Sequence, residues 1–121
     1  MLTPVEFDMA VSDAMDSIPD SLFSRLENVR FEIIDNPNDE QKALACGGDL
    51  LGLYVGIPLT KRSSSYGTGM HQPDTIYIFR EPIMRHSANH DDAVEQVRRV
   101  VLHEVGHYFG MDDEGLRALG Y

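Results

Sequence analysis

The chain has 121 residues, 42% apolar, 25% charged and 8% aromatic, with a formal net charge of −10. That composition suits one small globular domain over residues 1–121. It excludes a disordered chain and, with no run of about 18 apolar residues, a membrane-spanning helix. Residues 1–60 hold eleven acids against three bases, and such a surface repels phosphate backbones, so nucleic acid is an unfavourable partner.

The first predicted element is a helix. Thr3 caps it, Pro4 suits its first position, and Glu6 completes a capping box three residues after Thr3. Phe7, Ala10, Val11, Ala14, Met15 and Ile18 recur at three- and four-residue steps and mark one apolar face. Pro19 ends the helix. A short turn over residues 20–26 follows, with Leu22, Phe23 and Leu26 as its apolar contacts. Glu6 and Asp8 stand where a secretory signal would carry basic residues, and the single cysteine, Cys46, has no internal partner. Both point to a cytoplasmic protein with no membrane partner.

Three strands are predicted next. Val29–Ile34 alternates apolar and polar residues, and the Asp35-Asn36-Pro37-Asn38-Asp39 stretch after it reads as a loop. Residues 50–58 are apolar but interrupted by Gly52 and Gly56, as in a twisted or edge strand. Residues 61–69 form a polar, glycine-containing loop, and residues 75–80 a third strand ended by Pro82. Residues 83–85 have room for one turn.

The main helix opens near residues 89–92, with Asp91 or Asp92 as its cap. Val94, Val97, Val101, Val105 and Tyr108 step along one face, and Gly110 is its stop. The order helix, three strands, helix is an α+β arrangement: a small three-stranded sheet packed on the N-terminal and C-terminal helices.

The chemistry lies on that last helix, which reads His103-Glu104-Val105-Gly106-His107. Histidines four apart stand one turn apart on one face, so both imidazoles reach one Zn²⁺ at about 2.0–2.1 Å. Glu104 lies beside that face, where it can hold a water and take its proton. Two histidines leave a catalytic zinc one protein ligand short. Gly110 permits a sharp turn, and Asp113 falls ten residues after His103.

The full pattern, His-Glu-x-x-His-x-x-Gly-x-x-Asp, resembles the elongated zinc motif of the zincin metallopeptidases, in the form where Asp replaces a third His. The closest likeness is to the small bacterial zincin-like metallopeptidases, or minimal zincins. It extends over the opening helix, Ile18-Pro19, Leu26-Glu27-Asn28-Val29, the apolar strands and residues 115–121, while residues 103–113 are its diagnostic part. The resemblance implies His103, His107 and Asp113 as metal ligands and Glu104 as general base, with Asp112 and Glu114 as rivals to Asp113. It implies a zincin-like fold, Zn²⁺ as cofactor and a peptide or protein substrate. Met111 lies inside the motif, so it does not stand where metzincins carry their methionine turn.

Other candidates have plainer readings. His71, His86 and His90 sit in polar stretches and read as solvated surface histidines. Cys46 reads as structural. Tyr66, Tyr77 and Tyr108 are each able to stabilise an oxyanion, though Tyr108 is expected in the core. The loop at residues 61–69 either borders a cleft in which an edge strand pairs with extended peptide or simply joins two strands. The expected function is zinc-dependent peptide hydrolysis. The alternatives are a metal-clamped binding module and a metal-dependent ribonuclease. A purely structural site has no need of Glu104, and the net charge opposes an RNA substrate.

Overall fold

The computed structural model describes residues 1–44, 49–62 and 73–121. Cys46, Tyr66, His71 and most of the predicted 61–69 loop lie outside these residues.

Helix α1 (Pro4–Asp16) begins where its sequence signals place it. The Thr3 hydroxyl accepts the Glu6 N–H at 3.2 Å, and Glu6 returns the bond to the Thr3 N–H at 2.9 Å. Phe7, Ala10, Val11 and Ala14 are buried along its inner face. After Pro19, the short helix α2 (Asp20–Phe23) leaves Leu22 and Phe23 exposed, so of the three expected apolar contacts only Leu26 packs on the core.

Strand β1 (Val29–Ile34) has its predicted bounds. A second capping box, Asn38 with Gln41, starts an unpredicted helix α3 (Asp39–Ala43). Strand β2 is shorter than its apolar run, Gly52–Val55, and a 3-10 turn at Leu59–Lys61 follows. Strand β3 is Asp74–Phe79. Arg80 belongs not to the strand but to helix α4 (Arg80–Arg85), and Pro82 sits in that helix's first turn, where its missing N–H costs nothing.

Helix α5 (His90–Tyr108) is capped by Asn89, whose side chain accepts the Asp92 N–H at 2.9 Å. The cap is therefore neither Asp91 nor Asp92; both lie in the first turn, where they favour the helix dipole. Val97, Val101, Val105 and Tyr108 are buried as expected, but Val94 is exposed. Helix α6 (Asp113–Ala118) follows Gly110.

The sheet runs β1-β3-β2, with β1 parallel and β2 antiparallel to β3. Strand alternation sends Phe31, Ile33, Ile76, Ile78 and Tyr54 into a core shared with α1 and α5. β2 is an edge strand lying against α5, which is what positions the site. No helix among the described residues is long and apolar enough to cross a membrane.

Two expected outcomes follow from the first helix. Thr3→Ala removes the cap and lowers unfolding free energy by about 1 kcal/mol, read by urea denaturation. The Thr3 backbone N–H, with His90 beside it, holds the Glu6 carboxyl at about 2, below its ordinary 4.5. A depressed carboxylate stabilises above its ordinary range and loses that contribution as pH falls from 4.5 through about 2. The deficit of Glu6→Gln relative to the natural protein therefore shrinks over that window, and a constant deficit contradicts the assignment.

Candidate metal centre

A helix delivers residues four apart to one face, and α5 does so with His103 and His107. Their Nε2 atoms are 3.1 Å apart. The chain turns sharply at Gly110, whose φ of 89° is left-handed and suits glycine. It then enters α6 with Asp113 in the first turn. Asp113 Oδ1 lies 3.1 Å from Nε2 of His103 and 3.0 Å from Nε2 of His107.

The other ring nitrogens decide what this triangle is. His107 Nδ1–H donates to the Met111 carbonyl at 2.9 Å, and His103 Nδ1–H to the backbone oxygen of Tyr121 at 3.2 Å. In a neutral imidazole with its proton on Nδ1, Nε2 carries a lone pair. With both imidazoles in that form, two nitrogen lone pairs and a carboxylate oxygen converge with no hydrogen of their own between them. Tetrahedral Zn²⁺ with bonds of about 2.0–2.1 Å separates its donors by roughly 3.3 Å, so the residues present fit that ion. The histidine side chains are only about a quarter exposed and Asp113 is 65% exposed, which leaves one side open to solvent.

Glu104 completes the group. Its carboxylate lies with the two imidazoles in one cluster of potential ligand atoms spanning less than 4.8 Å. The residue is buried, at 7% exposure. Burial pushes its carboxyl above the ordinary range, and His107, His103 and the Tyr54 backbone amide pull part of the way back.

Close packing holds these pieces. A Cβ at Gly52 would stand 2.6 Å from Val100 Cγ1 and 3.1 Å from Glu104 Cγ, so β2 touches the stem of Glu104. A Cβ at Gly106 would stand 2.2 Å from Leu116 Cδ2, so α6 lies directly on α5. A cleft of about 560 Å³ opens over the site, lined among others by Leu53, Tyr54, Pro58, Lys61 and Met111. A second hollow of about 370 Å³, with Gln96, Arg99 and Tyr121, meets it at Gly52, His103 and Glu104.

The sequence model of the zincin-like metallopeptidase family matches residues 26–121. The chain belongs to the zincin-like metallopeptidase family. No curated protein matches it. Zincin membership implies a zinc site and peptidase-like chemistry in general, and the His103, Glu104 and His107 group is able to hold the ion.

Neither rival for the third position pairs with the two imidazoles as Asp113 does. Asp112 caps α6, accepting the Gly115 N–H at 2.8 Å, and Glu114 is exposed. His86 and His90 are exposed and bond Asp49 (2.9 Å) and Glu6 (3.1 Å), as expected of surface histidines. Tyr108 is fully buried in the core, and Tyr77 stacks on Phe79 and lines a different cavity. Among the described residues, the tyrosine lining the cleft is Tyr54, which carries no motif. Its only sequence signal is that it shares a strand face with Gly52.

Gly106→Ala forces a methyl into Leu116, an overpacking that costs about 1–3 kcal/mol and lifts α6 from α5. Denaturation checks the first effect and calorimetric zinc titration the second; unchanged zinc affinity in a folded variant means that the seat of α6 does not matter to the site.

Proposed function

We propose that the protein is a zinc-dependent peptidase in which His103, His107 and Asp113 hold the ion and Glu104 is the general base. The observation that supports this most is the convergence of three hydrogen-free donor atoms beside a buried carboxylate. When bound, Zn²⁺ supplies Lewis acidity, polarising a carbonyl and acidifying water.

The chain's own residues do the rest. Glu104 sits where it can accept a proton from water as the hydroxyl adds to the peptide carbonyl carbon. The same carboxylic acid then passes that proton to the amine as the C–N bond breaks. Backbone oxygens at Met111 and Tyr121 keep both rings turned with Nε2 inward.

Substrate orientation falls to β2. The Phe79 N–H donates to the Leu51 carbonyl at 3.0 Å, so residues 51 and 53 spend their main-chain groups on β3. Antiparallel alternation then turns those of Gly52 and Tyr54 to the open edge, over the cleft. An extended peptide pairs there as an added strand, so the partner is a peptide or an unfolded protein segment. A polyphosphate is disfavoured by Asp112, Asp113 and Glu104 in the lining.

Three measurements test the proposal. Zn²⁺ and protons compete for the same Nε2 lone pairs, so zinc affinity falls between about pH 7.5 and about pH 5. Asp113→Ala weakens zinc binding far more than Asp112→Ala or Glu114→Ala; equal losses remove the assignment of Asp113. Glu104→Gln keeps shape and leaves zinc affinity nearly unchanged, but lowers cleavage of a mixed peptide library by about 10²–10⁴-fold, read by mass spectrometry. Equal cleavage by both proteins, or none by zinc-loaded natural protein, defeats the peptidase reading; the latter favours a metal-dependent binding module.

A further inference from the structure

Behind the cleft lies an ion pair that the proposed chemistry does not use. Arg62 Nη2 is 2.8 Å from Asp74 Oδ2, and the two side chains are 5% and 3% exposed. So dry a pair is tolerable only when its other donors and acceptors are filled. The Tyr54 hydroxyl donates to Asp74, as does the Ile57 N–H at 3.3 Å. Arg62 donates to the Ile57 carbonyl at 3.0 Å and to the Glu27 carbonyl at 3.1 Å. Its guanidinium also lies 5.0 Å from the centre of the Tyr108 ring. Tyr54 meets that same ring edge-on at 6.2 Å.

The two tyrosines belong to the two walls of the site. Tyr108 follows His107 on α5, and its hydroxyl is fixed by the Arg25 carbonyl at 2.8 Å and the Glu27 N–H at 3.0 Å. Tyr54 lies on β2, two residues from the Gly52 backbone that touches the Glu104 stem. A single buried cation therefore ties the edge strand to the helix that carries the motif.

We propose that Asp74, held by Arg62, is a positioning residue for Glu104: through the Tyr54 phenol it fixes β2 against α5 and so sets where the Glu104 carboxylate stands. This rests on the reading of Glu104 as general base. A merely structural pair would tie down the turn at Ile57 and leave Glu104 indifferent to the phenol.

Tyr54→Phe removes only the hydroxyl and keeps the ion pair. In zinc-free protein the Glu104 carboxyl carbon resonance is expected to move, and the Leu53 amide, which bonds β3, to exchange at least about 10-fold faster. In zinc-loaded protein the turnover number falls at least about 10-fold while the zinc dissociation constant stays within about 3-fold. Arg62→Met with Asp74→Asn removes the pair as a unit and strands no charge, so it gives the same shifts even if Asp74→Ala does not fold. An unmoved Glu104 resonance with unchanged Leu53 exchange, in both folded variants, overturns the proposal. These readouts need no cleavage. A zinc-loaded natural protein that cleaves nothing therefore sinks the peptidase reading separately, and the resonance and exchange still decide whether the phenol positions Glu104.

Discussion

How closely its neighbours approach α5 controls everything at the site. The helix supplies both imidazoles and Glu104, but these become a site only when a strand edge lies on one side and the chain after Gly110 returns on the other. Gly52 allows the first contact and Gly106 the second, because in each case a methyl group would meet a packed side chain. At the turn itself a Cβ on Gly110 would stand 2.3 Å from Thr60 Oγ1, so the 3-10 turn after β2 also packs against the end of the motif. Three glycines thus do what a larger protein does with additional layers. They bring a strand, a turn and a second helix within reach of two histidines.

A small domain has few ways to make such contacts rigid. Here the apolar core of Phe7, Ile76, Ile78, Val97 and Val101 fixes α1, the sheet and α5 to one another. It does not reach the outer end of β2 and the turn after it, where Val55 and Ile57 are exposed. The Arg62–Asp74 pair fills that gap with polar bonds. Charged groups almost free of water are poor sources of net stability but good sources of definite geometry when every partner is present.

Much of the fold was legible because its signals are local. The Thr3–Glu6 box, the alternation of Val29–Ile34 and the 3.6-residue stepping of α5 each depend on a few adjacent side chains. The motif was legible for the same reason: four-residue spacing places two histidines on one helix face whatever surrounds them. Where the structure departs from the sequence pattern, the local signals are weak or in competition. Asn38 and Gln41 formed a box inside a stretch dominated by Pro37. Asn89 competed with two aspartates for the same cap. Arg80 and Pro82 looked like the end of a strand and in fact begin a helix. The parts that were not legible are tertiary. Val94 follows the apolar step yet faces solvent. Tyr54 matters because of Asp74 and Tyr108, which lie 20 and 54 residues away in sequence, and no short-range pattern joins them.

The chemistry of the donor set is also consistent with its placement. Glu104 is a buried carboxylate in an acidic protein, and Asp113 adds a second negative group beside it. Without a cation the two repel, and burial already disfavours the charge on Glu104. Two neutral imidazoles, two carboxylates and one divalent cation sum to zero. A dication held there would relieve the repulsion, take up both Nε2 lone pairs and let Glu104 remain ionised at low solvent exposure. The same residues that make the metal-free site electrostatically unfavourable are those that would bind the ion.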